Sequence, residues 1–172
     1  MRINLFGGPG SGKSTTAAWL FSELKRRLVS VEHVNEYVKA WAYANRPVDH
    51  YDQIYIMAKQ MQYEYRFLKN GIKNIVTDSP VDLSIVYSPE HLKPALRLMC
   101  QTYNQDFAHA NIFIRRGDKP YVQEGRYQDK TRALEVDLKI QEELGPMISF
   151  DYGDPAILDY VLAMVKTDYR RI

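Results

Sequence analysis

One cysteine, Cys100, occurs in the 172 residues, so the chain holds no internal disulfide and no paired-cysteine metal site. Four histidines, His33, His50, His91 and His109, are scattered without metal-ligand spacing. No apolar run approaches the roughly 18 residues of a membrane span, and the mean hydropathy is −0.42. The apolar start, Met1–Phe6, is short and runs at once into glycines, a poor match to a signal peptide. Together these absences point to a cytoplasmic setting. Charge of one sign is lacking too: 23 Lys and Arg face 21 Asp and Glu, for a net of +2, which gives no general argument for a polyanionic partner. Low-complexity stretches, linkers and internal repeats are absent, and the length suits one domain over residues 1–172.

What is there alternates short β-branched runs with longer helical ones, the pattern of an α/β fold built on a parallel sheet of about five strands. Strands are expected at Arg2–Phe6, Val31–Asn35, Asn74–Asp78, Asn111–Ile114 and Met147–Phe150. Helices are expected over Lys13–Leu28, Tyr37–Ala44, Asp52–Lys69, Leu92–Ala108, Thr131–Leu144 and Pro155–Lys166, with a further one opening near Pro80. Ala17, Leu20, Phe21, Leu24 and Leu28 share the core-facing stripe of the first helix.

Between the first strand and that helix lies Gly7-Gly8-Pro9-Gly10-Ser11-Gly12-Lys13-Ser14, which fits the phosphate-binding P-loop at every fixed position. Glycines let successive backbone N–H groups turn toward one point, and the helix N-terminus adds its positive dipole end. Lys13 supplies a full charge for the β- and γ-phosphates of ATP. The Ser14 hydroxyl is a hard oxygen ligand for Mg²⁺, and Thr15 and Thr16 add donors near the α-phosphate. A second concentration of charge lies between Arg115 and Arg132, where Arg115, Arg116, Lys119, Arg126, Lys130 and Arg132 outnumber Asp118, Glu124 and Asp129. A local positive segment in a balanced protein suits a compact polyphosphate.

A P-loop fixes the nucleotide and leaves the reaction open. The Asn/Thr-Lys-x-Asp base-reading motif of GTPases is missing. Motor and AAA+ ATPases pair an apolar strand with Asp-Glu, whereas Asp78-Ser79 stands here. A small kinase, with an arginine-bearing lid and an acceptor-side carboxylate, fits better. A non-catalytic ATP-binding module leaves the basic segment without a role.

Gly7–Thr15, Asn35-Glu36-Tyr37, Asp78-Ser79-Pro80 and the basic segment, taken in order, resemble the nucleoside and nucleotide kinase branch of P-loop proteins. Within it the chain is similar to compact kinases related to bacterial ribosylnicotinamide kinase and thymidylate kinase, phage-encoded members included. The stretch from Lys119 to Gln128 resembles phage kinase lids, and some such relatives phosphorylate 5-hydroxymethyluracil within DNA. The resemblance implies a three-layer α/β/α sandwich with a lid over about 115–130, an ATP- and Mg²⁺-dependent transfer to a hydroxyl, and a nucleoside-type acceptor. That acceptor is a DNA-borne hydroxymethylated pyrimidine in the leading version; the alternative is a free nucleoside or a nucleoside monophosphate. Thymidylate kinases carry Asp-Arg where Asp78-Ser79 stands, a departure that weakens that version.

The resemblance also implies roles. Glu36, at the end of the second strand, orients the acceptor hydroxyl. Asp78 supports Mg²⁺ through water or acts as the base in place of Glu36. Arg115, Arg116 and Arg126 neutralise charge on the transferred group, arginine being suited to bidentate contact with phosphate. Gly117 and Gly125 serve as lid hinges. Tyr37, Trp41, Tyr43, Tyr51, Tyr55, Tyr63 and Tyr65 offer rings for an acceptor base or for helix packing, and Gln60, Gln62 and Arg66 are candidate readers of its edge.

Overall fold

The structure, a computed structural model, describes residues 1–49, 51–118, 120–122 and 127–168, with side chains to 165. Five strands, β1 (Arg2–Phe6), β2 (Val31–Val34), β3 (Asn74–Thr77), β4 (His109–Arg115) and β5 (Ile148–Asp151), form one sheet in the order β2-β3-β1-β4-β5. Every pairing is parallel. Among the described residues seven α-helices connect and cover the strands: α1 (Lys13–Arg26), α2 (Lys39–Tyr43), α3 (Asp52–Leu68), α4 (Leu83–Tyr87), α5 (Lys93–Asp106), α6 (Lys130–Leu144) and α7 (Ala156–Asp168). The expected three-layer α/β/α arrangement is present.

Alternation along β1 sorts the two faces. Ile3 and Leu5 point to the side covered by α1 and α7, where they pack with Ala17, Leu20, Leu24, Ile112, Ile157 and Val161. Phe6 points the other way and meets Phe113 with Leu83 and Val86 of α4 and Val136 and Ile140 of α6. Farther along that face Met57 of α3, Ile85 of α4 and Leu96 and Cys100 of α5 close the core. Cys100 is a buried packing residue, and burial pushes its thiol well above the ordinary range.

Arg2 also lies on this second face and is fully buried. Its Nε donates to Glu64 Oε2 of α3 at 2.7 Å, its Nη1 donates to Asn104 Oδ1 of α5, and its guanidinium lies 4.5 Å from the Tyr103 ring centroid. Tyr103 Oη donates to the same Glu64 oxygen at 3.2 Å. Burial pushes the Glu64 carboxyl up to about 7 despite the opposing pull of Arg2.

Helix α1 departs from expectation at its end. It stops at Arg26, and Leu28, placed by its spacing on the buried stripe, is exposed with φ of +58°. The Val29 N–H bonds back to the Leu24 carbonyl at 3.0 Å, so the chain turns through a left-handed residue to reach β2. Helix α2 is likewise shorter than the expected Tyr37–Ala44, and β4 longer than Asn111–Ile114. Among the described residues no helix is long and apolar enough to cross a membrane.

Candidate active site

Because all strands run the same way, β1, β2 and β3 deliver their following loops to one lip of the sheet. The P-loop leaves β1, Glu36 follows β2 and Asp78 follows β3. This is the crevice at the carboxyl ends of strands where open α/β sheets bind ligands.

The loop's backbone needs its glycines. Gly7, Gly10 and Gly12 take φ of +139°, +76° and +107°, and Gly12 directly precedes α1. Gly8 is needed for a different reason: a Cβ there would stand 2.4 Å from the Ala133 carbonyl oxygen of α6. The Gly8 N–H donates to Asp137 Oδ1, also on α6, so that helix seats the loop. Lys13 Nζ donates to the Gly8 carbonyl at 2.9 Å. Burial holds the Lys13 ammonium below its ordinary range, against the upward pull of Glu36, Asp78 and Asp137.

A cavity of about 520 Å³ runs from this loop into the space under α2, α3 and α4. At the loop end Pro9, Gly10, Gly12, Lys13, Ser14 and Thr15 line it; at the junction stand Glu36, Asp78 and Ser79. Under α2, α3 and α4 the lining is mostly uncharged, Val38, Ala42, Val48, Ile56 and Leu83 with Gln53, Gln60, Ser84 and Tyr87, with Lys39 of α2 the charged exception. Pro120, Val122, Tyr127 and Gln128 close the outer side. The cations on its described walls are Lys13 and Lys39.

Asp78 is only 5% exposed, and its Oδ1 is buried with no hydrogen-bond partner in the protein. A buried carboxylate oxygen of this kind calls for a ligand. With the Ser14 hydroxyl beside the same cavity it makes a fitting oxygen pair for Mg²⁺, which takes few protein ligands and completes its shell with water and phosphate. No cluster of three or more His, Cys, Asp or Glu able to hold a metal exists among the described residues. His33 of β2 borders Asp78. Its Nε2 is buried without a partner, and burial holds the ring below its usual range against the pull of that carboxylate.

Arg115 and Arg116 are engaged by carboxylates outside the cavity. Arg115 ends β4 and pairs through Nε with Asp151 Oδ1 of β5 at 2.7 Å on an exposed edge. Arg116 is spent on the loop's foundation: Nε donates to Asp137 Oδ2 at 2.7 Å, Nη1 to the Pro9 carbonyl at 3.1 Å and Nη2 to the Ala133 carbonyl at 3.2 Å. Neither lines the cavity. Both guanidiniums are held by carboxylates that lie far away in sequence. Arg126, with Lys119 and the hinge candidate Gly125, lies outside the described residues, as does His50.

Gln60 is buried, accepts from the Tyr37 N–H at 3.3 Å and donates to Thr77 Oγ1 at 3.3 Å. It reaches the cavity, whereas Gln62 pairs with Lys59 on the surface and Arg66 lies over the rings of Tyr63 and Phe67. Tyr37, Trp41, Tyr55 and Tyr63 pack on one another, mostly edge to face. Tyr43 is the ring of that group that lines the cavity. Two tyrosines of the expected lid stretch and one residue outside it, Asp137, complete the site. Tyr121 sets its ring over Gly10, where a Cβ would approach to 2.8 Å. Tyr127 Oη donates to the Arg46 carbonyl across the cavity's outer side. Asp137 and Tyr121 meet the loop only through the tertiary fold, so no local spacing signals those contacts.

A sheet ordered 2-3-1-4-5 with a glycine loop and Lys13-Ser14 at the end of its central strand defines a P-loop α/β protein. Residues 2–147 match a family model described as an AAA domain, and the chain belongs to that family. No curated protein matches it significantly. Among solved structures it is similar to NadR protein in complex with NR, with a TM-score of 0.60 and 15% identity over 90% of this chain and 44% of that one. It is also similar to NadR protein in complex with NAD and AMP-PNP, with a TM-score of 0.57 and 16% identity over 93% of this chain and 48% of that one. The chain thus spans less than half the length of either.

Proposed function

We propose that the protein is a kinase that transfers the γ-phosphoryl group of ATP to a hydroxyl on a neutral, nucleoside-type acceptor. The observation that carries this reading is one continuous cavity joining the phosphate loop to a largely uncharged inner chamber, with two carboxylates, Glu36 and Asp78, at the junction. A hydrolase has no use for a second chamber of this lining. The family's description names the AAA class, yet Ser79 follows Asp78 where a water-polarising glutamate belongs in such ATPases. The similarity to NadR protein bound to NR supports a nucleoside in the inner chamber.

Phosphoryl transfer asks mainly for positioning and charge neutralisation. The loop amides and Lys13 hold the phosphates. Glu36 accepts the proton of the acceptor hydroxyl or orients it. Ser14 and Asp78 would hold Mg²⁺, which supplies neutralisation of the developing charge when bound. Pro120, Val122 and Tyr127 exclude water from the junction, which favours the alcohol acceptor over hydrolysis. Arg126 remains a candidate for the cation that steadies the transferred group.

A nucleoside monophosphate would have to bring its dianionic phosphate to the junction beside Glu36 and Asp78, which favours the nucleoside. A free nucleoside and a hydroxymethylated pyrimidine turned out of DNA offer the same kind of group, and the DNA-borne acceptor is the leading version. A panel of acceptors with γ-labelled ATP decides: nicotinamide riboside, thymidine, dTMP, hydroxymethyl-dUMP, and DNA with and without hydroxymethyluracil. Acceptor-dependent ADP release with label on a neutral hydroxyl is expected. ADP release indifferent to every acceptor would favour an ATPase and overturn the kinase. Preferential labelling of dTMP would overturn the neutral acceptor.

A further inference from the structure

The outward side of α3 combines two features. Its exposed residues include Tyr55, Tyr65 and Arg66, with Tyr51 just before the helix and Lys69 just after it, and none of its exposed residues is acidic. The cations are laid against rings rather than carboxylates. Lys59 stands 5.7 Å from the Tyr55 centroid, Arg66 4.8 Å from that of Tyr63 and Lys69 5.8 Å from that of Tyr65. Cations on and beside α1 and α5 instead meet carboxylates: Lys25 pairs with Glu32, Arg26 and Arg27 with Glu23, and Arg97 with Glu143. The carboxylates nearest the start of α3 are engaged, Asp52 accepting from the Asp49 N–H at 2.9 Å and standing 3.8 Å from Arg46.

The stripe is continuous with the cavity. Tyr55 stacks with Trp41 of α2 at 6.1 Å, Arg46 covers Trp41 at 3.4 Å, and Lys39 and Tyr43 of that helix line the cavity. A helix of this length presents about 25 Å of surface. Cations set beside flat rings along one helix face match a polymer with an anionic backbone and stackable bases. An acidic protein surface would match the charge and leave the rings without stacking partners.

We infer that the α3 face binds a single strand of nucleic acid, holding its phosphates on Lys59, Arg66 and Lys69 and its bases against the exposed tyrosines, with one end of the track at the cavity. The inference rests on the kinase reading only for what the strand would carry to the cavity; the binding stands by itself.

The test is fluorescence anisotropy of the full chain with a labelled oligothymidylate across a salt series, with phosphorylation of free nucleosides measured in parallel. Wild type binds with a steep salt dependence. The triple variant Lys59→Ala, Arg66→Ala, Lys69→Ala loses at least tenfold in affinity, and its salt slope falls by about 0.7 for each cation removed. Free-nucleoside turnover is unchanged in it. The control Lys25→Ala, Arg26→Ala on α1 binds as wild type, and the single charge reversal Lys69→Glu weakens binding in the same direction without truncating a packed side chain. Four results overturn the inference: no binding by wild type at low salt, equal losses in the α1 control, equal competition by polyglutamate, or a wild-type dimer that the triple variant dissociates. Binding that survives while every acceptor fails would refute the kinase and leave the strand site standing.

Discussion

Lys13 is held in its functional place at a cost to the fold. Burial disfavours its charge more than Glu36, Asp78 and Asp137 favour it, so its ammonium sits below its ordinary range. Lys13→Ala is therefore expected to cut phosphoryl transfer by roughly 10²–10³-fold, the loss typical of one preorganised electrostatic group, while the melting temperature stays level or rises. Steady-state kinetics beside thermal denaturation checks this; a variant that is destabilised and fully active would refute it. Asp78 carries the complementary signal, a buried oxygen with nothing in the protein to bond. These two residues were legible from sequence because the P-loop pattern and the strand-end position are local rules. Arg115 and Arg116 were not. Their partners Asp151 and Asp137 come from β5 and α6, and no spacing in residues 115–116 announces that both guanidiniums are already taken.

At the scale of elements, α6 does more than cover the sheet. Its N-terminus is capped by Asp129, whose side chain accepts from the Arg132 N–H at 2.9 Å. One turn in, the Ala133 carbonyl receives Arg116 and crowds Gly8, and a turn later Asp137 takes the Gly8 N–H. Asp129→Ala is expected to lower stability by about 1 kcal/mol and to raise the KM for ATP by loosening the loop's seat, with kcat less affected. Denaturant unfolding and ATP titrations test the two parts separately. Helix positions followed from apolar periodicity, since α1, α3, α5, α6 and α7 each bury one stripe. Ends were less legible: α1 stops short of Leu28 because the chain must reverse into β2, a demand set by the sheet.

For the whole molecule, the buried cluster of Arg2, Glu64, Tyr103 and Asn104 ties β1 to α3 and α5 beneath the site. Glu64 has its folded carboxyl raised from the usual 4.5 to about 7. In that interval the folded chain binds more protons than the unfolded one, so this group's contribution is fully present below about 4.5 and is lost as pH climbs to about 7. The expected melting temperature falls across that window, and Glu64→Gln flattens the fall. A Glu64→Gln profile parallel to wild type would refute the assignment. The five-stranded parallel sheet was legible in the alternation of strands and helices; the placement of a charged pair in its core was not, because Arg2 reads in sequence as an ordinary strand-edge residue.

The glycine loop near the amino terminus is finished only by a helix more than a hundred residues later, through Gly8 and Asp137. During synthesis the first strand and its loop emerge long before the segment that seats them. A nascent chain ending ahead of α6 is accordingly expected to carry the whole nucleotide signature in its letters and yet retain no ATP on a filter, with affinity arriving abruptly once that helix has left the ribosome.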